Sequence, residues 1–321
     1  CIRDRWPPEP KSKFGTIGLM TRLIPFAWLL FIGTSWGLTQ PLTKIAVSTG
    51  YQPFGIIFWQ MVIGVIILGT VNNIRRRPLP LNPRVILFYF LFAMIGTLIP
   101  NASSYHAYTV LPSGIMSLLL SLIPMMAFPI ALVLGLDEFN IKRLAGLSLG
   151  LAAVLLIVGL PTALPDPAML AFIPLGILAS LMYAFEGNFV ARFGTGGVGP
   201  VQLLLGSSIV GAVIMGPLSV ATGQWINPLH SWHAEDWALI GSAFIHSFVY
   251  TLYVMIVRNY GPVFSVQVSY LVTATGMGWA MLILGERYTG PVWLALGLMF
   301  IGMYLVSPQF NDNNGVGRTP N

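Results

Sequence analysis

Glu186 is the one acidic residue that lies well inside a long apolar stretch of this sequence. A carboxyl group in such a place can bind the ammonium group of a ligand, or it can take up and release a proton. It also has a structural interpretation, because Arg192 follows six residues later and would neutralise the charge as an ion pair. The residue types support the two interpretations about equally.

Two sets of polar side chains recur at helical spacing within other apolar stretches. They are Thr97, Asn101, Ser104, Tyr105 and Tyr108 in one stretch, and Ser242, His246, Tyr250 and Tyr253 in another. Residues three or four apart share one face of a helix, so each set predicts a polar face. Such a face either lines a cavity or supplies hydrogen bonds between packed helices, and we favour the cavity.

Aromatic and amide side chains add to these faces. Trp36 shares a helical face with Gln40, and an aromatic surface there would stack against a ligand. A histidine titrates near neutral pH, so His246 serves either proton coupling or a simple hydrogen bond. Lys44 lies on the same face and is expected to extend to the membrane interface. The candidate substrate-binding residues are Trp36, Gln40, Asn101, Tyr105, Tyr108, Tyr183, Glu186, His246, Tyr250, Tyr253, Ser269 and Trp279.

Motifs of soluble enzymes match this sequence only by coincidence. Residues 194–199 fit the dinucleotide pattern GxGxxG and residues 146–150 fit GxSxG, but both patterns require a preceding strand. Here both lie within or between apolar helical segments. The histidines show no HExxH spacing, and the single cysteine, Cys1, can form neither an internal disulfide nor a zinc site. We therefore predict no metal, no cofactor and no enzymatic activity.

The composition places the chain in a membrane. Of its 321 residues 55% are hydrophobic and 8% are charged, against about 25% charged in soluble domains. A water-facing surface cannot be built from so few charges, which excludes ordinary cytosolic enzymes, disordered proteins and disulfide-rich secreted modules. The net charge of +6 is explained by basic residues on one side of a membrane, so we predict no nucleic-acid partner.

Uninterrupted apolar stretches predict ten membrane-spanning helices separated by short connectors. The predicted spans are 23–43, 54–72, 85–107, 113–135, 143–160, 169–191, 200–222, 236–257, 263–284 and 290–307. The polar ends, 1–21 and 308–321, are predicted to be disordered, and Met20 is a possible true start. If the N-terminus is cytoplasmic, every Lys and Arg except Lys44 and Arg287 lies on the cytoplasmic side. This asymmetry favours ten spans with both termini in the cytoplasm.

The two halves of the sequence resemble each other. The paired positions are Leu147 to Leu151 with Leu294 to Leu298, Glu138 with Glu286, Ser117 and Ser121 with Ser265 and Ser269, and Pro53 with Pro200. They divide the chain into repeats 22–160 and 169–307, each with five spans. Because five is odd, the second repeat must be inverted relative to the first. Inverted repeats are typical of secondary transporters, whose substrate site lies near the membrane midplane.

Specific residues make this pattern similar to a known family. Trp36-Gly37 lies near the middle of span 1, Pro124 lies in span 4, and Leu-Gly-Glu-Arg at 284–287 precedes the last span. Together with the two five-span units they resemble EamA-type transporters of the drug/metabolite transporter superfamily. Two positions, Val272 and Asp137, depart from the usual pattern. The resemblance implies a protein of the bacterial inner membrane that moves small metabolites, often as an exporter of amino acids.

The expected activity is therefore export of small, mostly neutral metabolites by alternating access, with amino acids, including aromatic ones, as the best candidates. Proton coupling is one candidate driving force. No basic residue lies in the middle of a span, which disfavours phosphorylated substrates. One alternative is import or exchange by the same fold. An alternative from another class is an intramembrane enzyme, which would need paired aspartates or a metal cluster within the spans, and this sequence has neither.

Overall fold

A computed structural model describes residues 17–160, 163–265 and 267–306, and every regular element in these ranges is helical. The α-helices are α1 (Ile17–Ser48), α2 (Pro53–Ile74), α3 (Pro83–Ala93), α4 (Ile99–Val110), α5 (Ser113–Leu120), α6 (Ile123–Val133), α7 (Ile141–Gly159), α8 (Ile173–Phe193), α9 (Pro200–Ala221), α10 (Ala234–Ser265), α11 (Val268–Leu284) and α12 (Gly290–Val306). A π-helix, Met94–Leu98, joins α3 to α4, and a 3₁₀ helix, Pro167–Phe172, precedes α8. The predicted all-α membrane fold is confirmed.

Six of the helical segments are long and apolar enough to cross a membrane. They are Pro53–Ile74, Pro83–Val110, Ser113–Val133, Ile141–Gly159, Pro167–Phe193 and Pro200–Ala221. The helices α11 and α12 are apolar but have 17 residues each, while α1 and α10 have 32 each and cover predicted spans 1 and 8. The count of ten crossings stays a prediction.

Two boundaries differ from the sequence prediction. The first helix begins at Ile17, so residues 17–21 of the predicted tail are helical, whereas 1–16 and 308–321 lie outside the described residues. The helix α10 continues to Ser265 through the predicted connector after span 8. Residues 17–21 contain no proline, whereas the described extent of α10 includes Gly261 and Pro262, a pair that sequence patterns associate with the end of a helix.

Predicted spans 3 and 4 are each one apolar segment built from broken helices. Between α5 and α6 the chain turns at Ser121, whose hydroxyl donates to the Leu118 carbonyl at 2.7 Å. Pro124, just after this turn, has no N–H to continue the helical hydrogen bonding. In span 3 the π-helix comes immediately before the turn that contains Pro100. In both spans the helix is therefore interrupted next to a proline.

The two repeats pack into one interlocked bundle. Helix α1 of the first repeat packs against α10 and α11 of the second, and α8 of the second packs against α4, α5 and α6 of the first. Helices α1 and α8 are the first α-helices of their repeats. Packing of each against the equivalent helices of the other repeat is therefore expected for two related halves. The helices that end the repeats, α7 and α12, also pack against each other. The two-repeat arrangement is thus observed in the contacts.

Small residues allow α7 and α12 to approach closely. A Cβ placed on Gly302 would lie 2.8 Å from the Gly146 carbonyl oxygen and 2.6 Å from Met125 Cε, whereas one placed on Gly297 would have nothing within 4 Å. Gly297 lies on the same helix, with its exposed side away from the bundle. Substitutions at these two glycines therefore separate the effect of lost close packing on stability from the effect of the new residue on helix propensity.

We predict that Gly302→Leu destabilises the bundle by about 1–3 kcal/mol, because the added side chain collides with the backbone of α7. Thermal unfolding of the purified protein in detergent would show a lower Tm. The matched variant Gly297→Leu should keep the wild-type Tm. Equal Tm values for both variants would contradict this close packing.

Candidate functional site

Helix α8 carries Glu186 to a position against the π-helix of span 3. A Cβ placed on Gly96 would lie 2.6 Å from Glu186 Oε1, so only a glycine leaves room for the carboxylate there. The extra residue of a π-helix opens the backbone at the same level. On its other side the carboxylate interacts with the hydroxyl of Tyr250 from α10. The acid is partly buried between three helical segments.

The ion pair that the structural interpretation of Glu186 required, with Arg192, does not form. The guanidinium of Arg192 is exposed and lies over the Phe193 ring, 5.6 Å from its centroid. Among the side chains that the structure describes, which do not include those of Arg22 and Arg258, the ion pairs join Arg143 to Asp137 and His230 to Asp236. Glu186 therefore lies inside the bundle without a cationic partner among those described side chains.

Aromatic rings from α1 and α10 form a cluster beside this carboxylate. The Trp36 ring meets His246, Tyr250 and Tyr253 edge to face, with centroid separations of 5.8, 5.9 and 5.6 Å. These four residues, the Trp36 cluster, are all partly buried. Since Tyr250 belongs to the cluster and also contacts Glu186, the structure brings the predicted aromatic residues and the predicted acid to one place.

A chain of hydrogen bonds connects α2, α4 and α8 next to the cluster. Gln60 Oε1 accepts from Asn101 Nδ2 at 3.1 Å and from the Tyr105 hydroxyl at 2.7 Å. The Tyr183 hydroxyl donates to Asn101 Oδ1 at 2.6 Å. Gln60 is absent from the residues predicted from sequence, although the signal was present. It is a lone amide in the middle of span 2, and polar residues within a span are functional candidates.

A second amide, Gln40 on α1, accepts a hydrogen bond from the Tyr108 hydroxyl. This pair lies near α5 and α11, because a Cβ on Gly276 would lie 2.5 Å from Ser117 Oγ and 3.4 Å from Gln40 Cγ. Lys44, one turn further along α1, does not extend to the membrane interface as expected. Its ammonium donates to the carbonyls of Tyr108 at 2.6 Å and Leu111 at 3.0 Å. It thereby satisfies the C-terminal end of α4.

Two predicted site residues are placed elsewhere by the structure. Trp279 Nε1 donates to the Thr34 carbonyl at 3.0 Å and so connects α11 to α1. The Ser269 carbonyl accepts from Thr273 Oγ1 within α11. No hydrogen bond or ring contact joins either residue to the other predicted site residues in the part of the chain that the structure describes. Trp279 acts in helix packing here.

One end of the bundle is closed by contacts between the two repeats. Glu286 accepts hydrogen bonds from the backbone N–H groups of Ser113 at 2.7 Å and Gly114 at 3.1 Å. Although Glu286 precedes α12 of its own repeat, it caps α5 of the other repeat. Its counterpart Glu138 is exposed, and its backbone N–H bonds to Asp137. The two equivalent acids are thus in different environments.

A polar triad lies at the same end. The Tyr51 hydroxyl donates to Asp236 Oδ1 at 2.5 Å and lies 3.0 Å from His230 Nε2, which is 3.1 Å from Asp236 Oδ2. A hydrogen bond to the backbone carbonyl of Asn227 raises the pKa of His230, and Asp236 adds to this effect. Through Asp236, Tyr51 of the first repeat contacts the start of α10 of the second.

Comparison with known proteins agrees with this arrangement. The model of the EamA-like transporter family matches the chain twice, over residues 23–159 and 170–307. The chain belongs to the EamA-like transporter family. Its membership makes it a multi-pass membrane transporter of the drug/metabolite type, with a small-molecule substrate and the lipid bilayer as its surroundings. The two matched segments of this EamA-like transporter correspond to its two structural repeats.

A solved crystal structure shares the fold of this EamA-like transporter. The two align with a TM-score of 0.62 and 15% sequence identity, over 87% of this chain and 96% of the other. No curated protein sequence matches the chain. At this identity the structural similarity supports the fold alone.

We predict that Glu286→Gln lowers the stability of the EamA-like transporter by about 1–2 kcal/mol, because an anionic cap at the N-terminus of α5 is lost. The Tm in detergent should fall accordingly. Glu138→Gln changes the equivalent acid of the other repeat, which is exposed, and should leave the Tm unchanged. A similar loss in both variants would show that the cap on α5 contributes nothing specific.

Proposed function

We propose that this protein is a secondary active transporter that exports small, mostly neutral metabolites. Amino acids, including aromatic ones, are the best candidate substrates. The observation that carries the proposal is Glu186, a carboxylate inside the bundle with no cationic partner among the described residues, beside the Trp36 cluster. A substrate ammonium would supply the missing charge, and the aromatic rings would pack against its side chain.

Proton coupling follows from the same carboxylate. An isolated anion in a medium of low polarity is unfavourable, so the carboxyl group holds either a proton or a cationic ligand. If the substrate ammonium and the proton compete for Glu186, binding of one releases the other. Inward proton movement would then drive outward movement of substrate, which is the exchange expected of a proton-coupled exporter.

Alternating access is supported by the origin of the site residues. Trp36, Gln60 and Asn101 belong to the first repeat, while Glu186 and Tyr250 belong to the second. Rocking of one repeat against the other would change access to a site that lies between them. The contacts at the Glu286 end would break when that end opens, and we propose that this end faces outward.

The charge of the site supports neutral substrates over phosphorylated ones. A phosphate group is usually held by several arginines or lysines. Lys44 lies beside Tyr108, which bonds Gln40, and its ammonium is already bonded to two backbone carbonyls. Import or exchange by the same fold remains the alternative to export, and the direction of transport separates them.

The distribution of basic residues supports a bacterial inner-membrane location with both termini in the cytoplasm. The arginine-rich connector between α2 and α3 would then be cytoplasmic, and the connector between α9 and α10 would be outside. In the structure Leu229 of the latter connector is 91% exposed. Both connectors therefore offer positions that report on orientation.

We predict that, in intact cells expressing a Cys1→Ser background, Leu229→Cys reacts with a membrane-impermeant thiol reagent added outside. Pro78→Cys should react only after the cells are permeabilised, because the connector that contains it faces the cytoplasm. Labelling of Pro78→Cys in intact cells would overturn the proposed orientation.

We predict that Glu186→Gln reduces counterflow of labelled amino acids in proteoliposomes by at least about tenfold and abolishes its dependence on pH, because the amide neither ionises nor exchanges a proton. Asp166→Asn is the matched control. This exposed carboxylate caps the 3₁₀ helix, and an asparagine can do the same.

The direction is tested in cells that overproduce the protein. Export predicts lower internal concentrations of toxic amino-acid analogues and higher tolerance of them. If tolerance and efflux are unchanged across a broad amino-acid panel while uptake of another solute rises, import replaces export. Normal, pH-dependent counterflow by Glu186→Gln would remove the carboxylate from the mechanism.

A further inference from the structure

Two glutamine side chains, Gln40 and Gln60, are held in the same way at the interface of the repeats. In each, a tyrosine of α4 donates a hydrogen bond to the amide oxygen, from Tyr108 to Gln40 and from Tyr105 to Gln60. Gln60 accepts a second hydrogen bond, from Asn101. Because an amide group is planar, fixing its oxygen also fixes the direction of its NH₂ group.

The NH₂ groups of both glutamines are unused. Neither Gln40 Nε2 nor Gln60 Nε2 donates a hydrogen bond to any residue that the structure describes. The side chains are only 8% and 7% exposed. However, the only fully buried side-chain nitrogen or oxygen atom without a partner in the described ranges is Ser113 Oγ. Both amide nitrogens therefore still border accessible space, where a ligand atom could accept their hydrogen bonds.

Both amides are bonded to the same helix, and one of them is linked to the helix that carries the acid. Tyr105 and Tyr108 are three residues apart on α4, so Gln60 and Gln40 are held by neighbouring turns of that helix. Gln60 is connected through Asn101 to Tyr183, which lies one turn before Glu186 on α8. Hydrogen-bond donors and a carboxylate thus lie at separate points of one polar region.

We propose that Gln40 and Gln60 determine specificity by donating hydrogen bonds to the carboxylate of the substrate, while Glu186 binds its ammonium group. The proposal rests on the proposed function and narrows its substrate class to α-amino acids carrying both charges. Amide donors bind a carboxylate without adding a fixed positive charge that would form an ion pair with Glu186. A site made of Glu186 and the Trp36 cluster alone would accept simple amines equally well.

The structure offers isosteric variants for the test. Gln60→Glu keeps an oxygen that accepts from Tyr105 and Asn101, and Gln40→Glu keeps one that accepts from Tyr108. Each replaces the NH₂ donor by a second oxygen, which repels a carboxylate once the new carboxyl group is ionised, so binding is measured over a range of pH. Gln52→Glu is the matched control, because Gln52 is exposed in the connector before α2 and its side chain makes no capping hydrogen bond.

The experiment measures ligand-induced stabilisation of the full-length purified protein in detergent. The ligands are L-amino acids, each paired with the amine that lacks its carboxylate, such as phenylalanine with phenethylamine. We expect the wild-type protein to bind at least one amino acid about tenfold more tightly than its amine. Gln60→Glu and Gln40→Glu should each remove this preference while amine binding persists, and Gln52→Glu should keep it.

Every outcome bears on the proposal. Wild-type protein that binds amines as tightly as amino acids, or that binds neither, overturns it, as does a preference that survives in both site variants. If one variant fails to fold, the other decides. If the glutamine-dependent preference is present but proteoliposomes show no counterflow of the same amino acid, the binding assignment stands and the proposed transport function fails.

Discussion

The central physical constraint in this protein is a carboxylate that must remain inside an apolar bundle. Moving an anion out of water is unfavourable unless a proton or a cation accompanies it, and Glu186 has no ion-pair partner among the side chains that the structure describes. The surrounding structure is shaped by this requirement. Gly96 leaves space for the group, Tyr250 offers it a polar contact, and helices of both repeats meet around it.

The sequence predicted the parts of this structure that depend on local pattern. Apolar length placed the helices, helical spacing placed Asn101 and Tyr105 on one face, and His246 and Tyr250 on another, and the internal similarity gave two repeats. These features are confirmed because periodicity within one helix needs no knowledge of its neighbours. The same reasoning identified Glu186, since an acid in an apolar stretch is conspicuous.

The features that the sequence did not predict are contacts between distant segments. Gln60 meets Asn101 and Tyr105 across 41 and 45 positions of the chain, and Glu286 caps Ser113 across 173. No local pattern specifies which helix end a carboxylate will reach. Lys44 illustrates the same point, because its partners are carbonyls of α4 rather than the interface. Trp279 was predicted to line the site because of its aromatic ring, but its indole N–H bonds the Thr34 carbonyl and so connects α11 to α1.

The connector between α4 and α5 brings together two opposite helix ends. Lys44 neutralises the carbonyls at the end of α4, and Glu286 neutralises the N–H groups at the start of α5, with only Leu111 and Pro112 between the helices. Lys44 belongs to the same repeat as α4, whereas Glu286 belongs to the other repeat. Separating the repeats here would leave the α4 carbonyls bonded to Lys44 but would expose the N–H groups at the start of α5. Water would have to solvate those N–H groups, so hydration of this one helix end is part of the free-energy cost of opening.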